Sequence, residues 1–330
     1  MYKPRFTITP HLLGLLTRAT EVRAWIKGAV VSVPWLPALQ RDTAARLAHS
    51  STAIEGNPLG LPEVEAIARG EETGSPAKDA LEVKNHLAAL RWLSNRTTLG
   101  ERELLKMHSL LMAGLLPRTG YKDKQNRVVD HLGRTVYTPP GPEQARRLTR
   151  ELLAWTAATD LHTVIVSAVA HHRLVSIHPF SDGNGRAARA YGTWVLHARG
   201  FDTEHILALD EFYEADRPRY YATLQQARDL DDDLTFWLEY VAEGVCETLL
   251  KTRSRIESLR VKAAAPGLSL TRRQEEVLRL LRDRGRLKSP DLESALGLTR
   301  ARVAQILSPL LASGLVLREG RTRATSYRLP

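Results

Sequence analysis

The stretch HPFSDGNGRAAR, residues 178–189, joins two helical patterns and decides how the rest of the sequence is interpreted. The preceding segment TVIVSAVAHHRLVSI has helical periodicity, and the glycines at positions 183 and 185 predict a turn before a second helix that opens near Arg186. The free N–H groups and the positive dipole at a helix start bind anions, and glycine has no Cβ to keep a phosphate from the backbone. The turn therefore predicts a phosphate-binding site.

The charged residues of this stretch favour a nucleoside triphosphate over a single phosphate. Arg186 and Arg189 lie three positions apart and share a helical face, so two guanidinium groups flank the turn. Asp182 offers the hard oxygen ligand with which proteins hold Mg²⁺ beside phosphate oxygens. The near-neutral pKa of an imidazole suits His178 to take a proton from an incoming hydroxyl. Each residue alone has an ordinary structural explanation, but together they predict a base, a metal ligand and a phosphate cradle.

Helical periodicity continues over most of the chain and predicts a mainly α fold from about residue 39 to residue 250. In DTAARLAHSSTAIEGN, Asp42 or Thr43 is a candidate N-cap and Gly56 a candidate C-terminal residue of one helix. The predicted core face of the helix after the turn carries Ala187, Tyr191, Trp194 and Ala198.

One segment, NRVVDHLGRTVYTPP at residues 126–140, departs from the helical pattern. Two short β-prone runs flank a turn candidate at Leu132 and Gly133, and a double proline ends the segment. We expect a β-hairpin within the helical domain.

Length and composition limit the class of protein. A chain of 330 residues exceeds the usual single domain, so two or three modules are expected, and 43% apolar with 25% charged residues is ordinary globular composition. The single cysteine, Cys246, excludes an intrachain disulfide, and the N-terminal MYKPRFTITP lacks the apolar core of a secretory signal. We expect a cytoplasmic protein without a membrane span.

Positive charge is concentrated in the last part of the chain. Of the net charge of +10, residues 271–330 contribute 13 Lys and Arg against 6 Asp and Glu, whereas the first 270 residues hold 34 against 31. Pro266 and Gly267 interrupt the helical pattern just before this part. The predicted organisation is an N-terminal arm over 1–37, a helical domain over 38–250, a helix end and linker over 251–270, and a basic C-terminal module over 271–330.

The C-terminal module has the spacing of a helix-turn-helix. TRRQEEVLRLLRDRG, SPDLESALGL and TRARVAQILSPLLASG predict three helices with Gly297 in the turn, and LVLREGRTRATSYRL predicts a two-stranded wing around Gly320. A recognition helix of this kind would meet base edges and the wing would meet phosphates. The candidate DNA-binding residues are Arg300, Arg302, Gln305, Arg321 and Arg323. A small docking or dimerisation domain is the alternative, since winged helices often bind protein.

Residues 178–189 resemble the Fic family motif H-P-F-x-D/E-G-N-G-R-x-x-R at every defined position. The resemblance extends to about residues 38–250 and implies a Fic-type helical bundle that transfers AMP from ATP to a Ser, Thr or Tyr hydroxyl of a protein. It implies His178 as the general base and Asp182 as the Mg²⁺ ligand. The implied phosphate-binding loop comprises Gly183, Asn184, Gly185 and Arg186. Arg189 would bind the γ-phosphate.

Two further segments resemble parts of the Fic fold. The hairpin resembles the family's flap, which pairs with an extended target segment by strand addition, here through Val128 and Val129. Tyr220 and Tyr221 resemble the tyrosine pair near the adenine pocket. The next contact position, often Asn in relatives, is Arg228 in this chain, so the adenine side departs from the family pattern.

The segment SSTAIEGN, residues 50–57, resembles the inhibitory motif S/T-x-x-x-E-G/N at the end of an N-terminal helix predicted over about 39–56. Ser51 and Glu55 lie four positions apart and so share a helical face. The family comparison implies that Glu55 pairs with Arg189, which would occupy the arginine needed for the γ-phosphate. In some relatives the same glutamate also helps water to remove AMP from a modified target, and that reverse role stays open.

Taken together, these features predict an autoinhibited protein adenylyltransferase that uses ATP and Mg²⁺ and modifies a target protein, which includes the case of itself. The alternative is a DNA-binding transcriptional regulator that uses the same site as a nucleotide sensor, and both functions are compatible. Transfer from a different nucleotide or phosphate-bearing donor is a third hypothesis. Relatives of this arrangement are often dimers, so the resemblance also allows a homodimer.

Overall fold

A computed structural model describes residues 2–30, 33–98, 100–129, 132–202, 204–263, 271–312, 314–320 and 325–329 of the chain. The chain folds into two compact units. The first unit comprises residues 1–28 and 40–252, and the second comprises residues 29–39 and 253–330. The domain boundaries expected from the sequence stay a prediction.

The first unit is mainly helical, which confirms the predicted fold class. Its helices are α1 (Pro10–Ala29), α2 (Leu36–Ile54), α3 (Leu61–Ala68), α4 (Ala77–Leu93), α5 (Glu101–Leu111), α6 (Pro142–Ala158), α7 (Thr163–Ile177), α8 (Asn184–Ala198), α9 (Asp210–Ala215), α10 (Arg217–Asp229) and α11 (Thr235–Ala263), with the ends of α1, α2 and α11 in the second unit. The predicted hairpin is present as antiparallel strands β1 (Val128–Val129) and β2 (Thr135–Tyr137).

Helices α7 and α8 form the centre of the first unit. Every residue of α7 except Thr163 and Arg173 is buried, as expected for a helix that is apolar on nearly all sides. Helix α8 packs against α7 along its length. A Cβ added at Gly192 would come within 3.3 Å of the His171 Cβ, so the glycine permits this close approach. The packing of α7 on α8 fixes the turn between them.

The start of α2 differs from the prediction. The helix begins at Leu36 rather than at a cap formed by Asp42 or Thr43. Pro37 is compatible with a first helical turn, where its missing N–H costs no hydrogen bond. Asp42 lies inside the helix and accepts a hydrogen bond from Arg46 Nε at 2.8 Å. Gly56 follows the helix with a φ of +97°, in keeping with its predicted place at the helix end.

Helix α1 differs from the expected N-terminal arm over residues 1–37. A helical spacing was nevertheless present in the sequence, since Leu12, Leu16, Ala19 and Ile26 are buried on one side of the helix. Helix α8 also starts earlier than predicted, at Asn184 rather than near Arg186.

The second unit contains the predicted three helices and two strands, together with an additional short strand. The elements are α12 (Arg272–Arg284), β3 (Leu287–Lys288), α13 (Ser289–Leu296), α14 (Arg300–Ala312), β4 (Leu317–Glu319) and β5 (Ser326–Arg328). The strands form an antiparallel sheet in the order β3-β5-β4. The core residues of this unit include Val277, Leu281, Leu292, Val303, Leu307 and Leu310. Gly297 makes the turn between α13 and α14 with a φ of +63°.

Among the described residues, none of the helices has both the length and the apolar character that crossing a bilayer requires.

Candidate functional site

The turn between α7 and α8 has a fixed backbone. His178 ends α7 in the left-handed region with a φ of 51°, and Gly183 adopts a φ of 75° immediately before α8. The Asn184 side chain accepts from the Phe180 N–H and donates to the Phe180 carbonyl, both at 2.9 Å. Asn184 therefore closes the loop on itself, and a nucleotide would meet a loop that is already shaped.

A histidine that the sequence analysis did not single out supports this turn from α5. His108 is fully buried and stacks on the Phe180 ring with 3.8 Å between centroids. Its Nδ1 accepts from the Gly120 N–H at 3.4 Å, so its Nε2 carries the proton and donates to the Asp182 carbonyl at 3.0 Å. The carbonyl of the predicted metal ligand is thereby held, while its side chain stays exposed.

The imidazole of His178 is held in one tautomer. Its Nδ1 lies 3.1 Å from the Val175 carbonyl oxygen, which only accepts, so Nδ1 carries the proton and Nε2 has the free lone pair. Burial lowers the pKa of His178 to about 4, and the charges of Lys122 and Arg228 act in the same direction. The ring is therefore neutral at pH 7, which is the protonation state that a general base needs.

Arg186 is buried at the start of α8 and is only partly neutralised. Its Nη1 lies 3.8 Å from Glu82 Oε1, an ion pair without a hydrogen bond. Within the described part of the chain, the Nε and Nη1 atoms of Arg186 have no hydrogen-bond partner. A buried guanidinium with unused donors carries a large desolvation cost, which an anion at the helix start would offset.

Arg189, one turn further along α8, is fully buried and bound by the end of α2. Its Nη2 donates to Glu55 Oε1 at 2.8 Å and to the Ser51 carbonyl at 2.8 Å, and its Nε donates to Ser51 Oγ at 3.0 Å. The ion pair that the family resemblance implies between Glu55 and Arg189 is thus present.

The Glu55 carboxylate also lies against the backbone of the turn. A Cβ added at Gly185 would overlap Glu55 Oε1, which places this oxygen in contact with the first turn of α8. The glycine at position 183 is needed for a different reason, because a Cβ there would overlap the Met112 sulfur and its φ is positive. The side chain of Glu55 therefore fills space that a phosphate on Gly185 would need.

Sequence comparison identifies the domain that carries this turn. Residues 98–196 match the sequence profile of the Fic/DOC family. The chain contains a Fic domain. It is 29% identical over 216 residues to protein adenylyltransferase fic-1 of Caenorhabditis elegans, and the aligned region covers 62% of this chain and 40% of the relative. It is 30% identical over 232 residues to protein adenylyltransferase Fic of Nematostella vectensis, and that alignment covers 66% of this chain and 50% of the relative.

A solved structure matches the whole chain. A Fic family protein from Desulfovibrio desulfuricans superposes with a TM-score of 0.72 at 27% identity and covers 100% of this chain and 98% of that one. By contrast, the chain spans 40 to 50% of the length of the two curated relatives named above.

The two tyrosines on α10 differ in exposure. Tyr220 is buried, its hydroxyl lies 3.0 Å from His171 Nε2, and burial raises its pKa although the charge of Arg189 lies close enough to lower it. Tyr221 is 43% exposed, and the Arg217 guanidinium lies 5.7 Å from its ring centre. Tyr221 can therefore meet a ligand directly, whereas Tyr220 acts on the site through Arg189; their part in nucleotide binding stays a prediction.

Arg228 contacts the β1–β2 hairpin, the predicted flap. Its Nε donates to Ser176 Oγ at 3.1 Å, and its guanidinium lies 4.1 Å from the centre of the Tyr137 ring on β2. The Tyr137 hydroxyl donates to the Ser176 carbonyl at 2.9 Å. The departure from the family pattern at this position thus connects the flap to the last turn of α7, two residues before His178.

The flap presents apolar side chains to solvent. Val128 pairs with Tyr137 and Val129 with Thr135, and the side chains of Val129 and Val136 are 54% and 46% exposed. Exposed apolar residues on a short hairpin suit the docking of a further strand. Target binding by Val128 and Val129 stays a prediction.

Asp182, the predicted Mg²⁺ ligand, offers one exposed carboxylate to a cation. One carboxylate oxygen, Oδ1, accepts from the Gly183 N–H at 2.6 Å, and the side chain is exposed. In the described ranges there is no group of three or more His, Cys, Asp or Glu side chains that could hold a metal ion. A single carboxylate matches a cation that takes most of its ligands from phosphate and water, as Mg²⁺ does.

Two residues near the site belong to no sequence motif and are not among the predicted site residues. Asp210 is 2% exposed, and its Oδ2 lies 3.7 Å from Arg189 Nε. Lys122 is 3% exposed and donates to Asn126 Oδ1 at 2.7 Å; burial lowers its pKa to about 8. Neither spacing nor composition distinguishes them from surface residues, because their burial depends on contacts far along the chain.

In the second unit, the predicted DNA-binding residues on α14 are exposed. Arg300, Arg302 and Gln305 face solvent, and Arg302 Nη1 donates to Gln305 Oε1 at 2.9 Å. The predicted wing residues Arg321 and Arg323 lie outside the described residues.

Proposed function

We propose that the chain is a Mg²⁺-dependent protein adenylyltransferase that transfers AMP from ATP to a Ser, Thr or Tyr hydroxyl and is restrained by Glu55. The observation that carries the proposal is the turn itself, where a neutral His178 with a free Nε2 stands beside the start of α8 and the unused donors of Arg186. The names of the curated relatives, both protein adenylyltransferases, support the same reaction.

His178 supplies the proton acceptor in this mechanism. The target hydroxyl oxygen attacks the α-phosphorus of ATP while its proton passes to His178 Nε2. A bond forms between oxygen and the α-phosphorus, and the bond to the β-phosphate breaks with release of pyrophosphate. The hydrogen bond from Nδ1–H to Val175 keeps Nε2 directed away from α7 and stabilises the charge that the ring acquires.

Positive charge and the helix start bind the triphosphate. Arg186 donates its free Nε and Nη1 to phosphate oxygens, and Gly185 allows a phosphate to reach the backbone N–H groups of α8. Asp182 would hold Mg²⁺ with its exposed carboxylate, and the bound cation would neutralise charge on the phosphates. Preformed donors act mainly by positioning the reactants and by stabilising the leaving group.

Glu55 restrains the reaction by occupying Arg189. Its carboxylate holds Nη2 and contacts the Gly185 backbone, so a γ-phosphate would meet a negative charge in its own place. Two like charges at contact distance in a partly dry site repel by several kcal/mol, on the order of 4 kcal/mol at 4 Å. ATP can then bind only in an unproductive pose until Glu55 moves.

The test is AMP transfer by the Glu55→Gly protein. The variant is incubated with α-labelled ATP and Mg²⁺, alone and with cell lysate, and modified hydroxyls are located by mass spectrometry. We expect labelling at least severalfold above wild type, and none in Glu55→Gly with His178→Ala although that protein still binds ATP. Parallel reactions with other labelled nucleotides identify the donor. Unchanged labelling in a folded Glu55→Gly protein would contradict the restraint, and no labelling with any nucleotide would contradict the transferase.

A second candidate function is DNA binding by the C-terminal unit, in which case the nucleotide site acts as a sensor. The observation in its favour is that Arg300, Arg302 and Gln305 are exposed in the first part of α14, which follows the Gly297 turn after α13. Binding to genomic DNA fragments should weaken steeply with salt and be lost in Arg300→Ala with Arg302→Ala. The matched control is His178→Ala, which should bind DNA normally. Failure of the wild type to bind DNA at low salt would remove this function and leave the transferase intact.

A further inference from the structure

A buried carboxylate, Asp210, lies behind Arg189 and has no part in the mechanism above. It opens α9, is 2% exposed, and its Oδ2 lies 3.7 Å from Arg189 Nε. Ser51 Oγ accepts from the same Arg189 Nε at 3.0 Å. Asp210 and the segment that carries the inhibitory glutamate therefore meet at one edge of Arg189.

Arg189 faces one carboxylate on each side. Glu55 holds Nη2 at 2.8 Å with a side chain that is 33% exposed, whereas Asp210 faces the Nε edge from the interior. In the described part of the chain, the Oδ1 atom of Asp210 has no hydrogen-bond partner, so the ion pair is its main compensation. A buried unpaired charge is costly, which ties Asp210 to Arg189 whatever Glu55 does.

We propose that Asp210 is a positioning residue of the nucleotide site: it is the permanent counter-ion of Arg189, and it competes with Glu55 for the same positive charge. The inference rests on the proposed function, since it concerns the arginine that the γ-phosphate would occupy. One guanidinium carries a single positive charge, so the share held by Asp210 weakens the contact with Glu55. Asp210 thereby sets how readily ATP displaces the inhibitory carboxylate.

The charge state of Asp210 is consistent with this role. Burial raises its pKa to about 6, while the charge of Arg189 and the Ser51 hydroxyl lower it. Above pH 7 the side chain is therefore ionised and remains a counter-ion.

Asp210→Asn removes the negative charge of the side chain and keeps its size and shape. The amide leaves Arg189 with Glu55 as its one carboxylate within 4 Å among the described residues. The Glu55 contact should tighten, so ATP should bind more weakly. Without Glu55 the same change removes a negative charge near the γ-phosphate, so ATP should bind equally well or better. A purely structural role would weaken binding in both backgrounds.

The experiment is a double-mutant cycle of wild type, Asp210→Asn, Glu55→Gly and the double variant at pH 7.5. Affinities for Mg–ATP and for ADP are measured by displacement of a fluorescent ADP analogue, because ADP lacks the γ-phosphate that would meet Arg189. We expect Asp210→Asn to weaken ATP binding by about fivefold or more in wild type and not at all in Glu55→Gly. ADP affinity should stay constant throughout.

The matched control is Asp202→Asn, a second buried aspartate of the same unit, which bonds the Ile206 N–H instead of an arginine. It should leave the ATP to ADP affinity ratio unchanged. An equal loss in both backgrounds, no change in either, or loss of ADP binding in Asp210→Asn would each overturn the proposal. The proposed restraint is judged separately by Glu55→Gly alone, which keeps Asp210 and should bind ATP more tightly than wild type.

Discussion

The Nδ1 atom of His178 lies 3.1 Å from the carbonyl oxygen of Val175, in the last turn of the helix that ends at His178. This contact fixes which nitrogen is free, and burial determines the range of pH over which it stays free. Because burial lowers the pKa of His178 to about 4, the ring is neutral through most of the pH range in which proteins are stable.

The pH profile of AMP transfer is the first prediction. The value of kcat/KM reports the free enzyme, so in Glu55→Gly it should be flat from about pH 8 to about pH 5.5 and fall only towards the pKa near 4. Removing Glu55 should lower this pKa further, since the Glu55 charge raises it. An ordinary solvated imidazole would instead give a fall centred near 6.5. Such a midpoint, in protein shown to be folded by tryptophan fluorescence, would contradict the buried neutral base.

Acid should destabilise the first unit before it inactivates the base. Burial lowers the pKa values of His86 and His172 to about 3 and lowers the pKa of His171 well below 6.5. The unfolded chain binds protons at these sites below pH 6.5 and the folded chain does not, so stability is full above pH 6.5 and is lost as pH falls. Each such histidine costs about 1.4 kcal/mol per pH unit.

Urea unfolding of the protein at pH 7 and pH 5.5 measures this loss. We expect the free energy of unfolding to drop by a few kcal/mol. His172→Gln should reduce the slope, because the glutamine does not titrate and can still donate to the Leu224 carbonyl that lies 3.2 Å from His172 Nε2. An unfolding free energy that is constant over this interval would show that these histidines are solvated.

The two glycines of the turn should respond differently to alanine. Gly185 lies in the first turn of α8, where alanine is acceptable to the backbone, but its Cβ would enter the space that the phosphate and Glu55 oxygens share. In the Glu55→Gly background, Gly185→Ala should keep the melting temperature and weaken ATP binding about tenfold or more. Gly183→Ala should instead lower stability by roughly 1–2 kcal/mol, since its φ is positive and Met112 blocks the Cβ.

Calorimetric titration of ATP and thermal unfolding of both variants separate these effects. Unchanged ATP affinity in Gly185→Ala would indicate that phosphate does not approach the backbone at this position.

The contrast between these glycines shows what the sequence could and could not predict. The spacing of the turn, the arginine pair and the Ser51 to Glu55 interval follow from local periodicity, and the contact of Glu55 with Arg189 follows from resemblance. Helix α1 has apolar residues at helical spacing, whereas the expected feature of this segment is an arm. Asp42 and Thr43 are both good candidate caps, but the helix begins six residues before Asp42, at Leu36, so both residues lie in the helix interior.

Residues whose role depends on packing left no local signal. Asp210 meets Arg189 only because α9 folds behind α8, and Arg228 meets Tyr137 only because the flap lies over α10. A lone aspartate in a helical sequence is ordinarily solvated, so nothing in the spacing distinguishes Asp210 from its neighbours. Arg228 stands out only as a departure from the family pattern, and its contact with the hairpin follows from packing.

The contact of Arg228 with the flap leads to the last prediction. Tyr137 is the last residue of β2. Its hydroxyl and the Arg228 guanidinium both bind Ser176, in the last turn of α7, which orients His178.

Tyr137→Phe and Arg228→Lys should therefore misplace the target hydroxyl more than the nucleotide. In Glu55→Gly, each change should leave the affinity for Mg–ATP within about twofold and reduce the rate of AMP incorporation about three- to tenfold. Tyr240→Phe is the matched control, because the Tyr240 hydroxyl has no hydrogen-bond partner within the described residues. If either flap variant lost ATP affinity in proportion to its rate, Arg228 would be a nucleotide contact instead of a support for the flap.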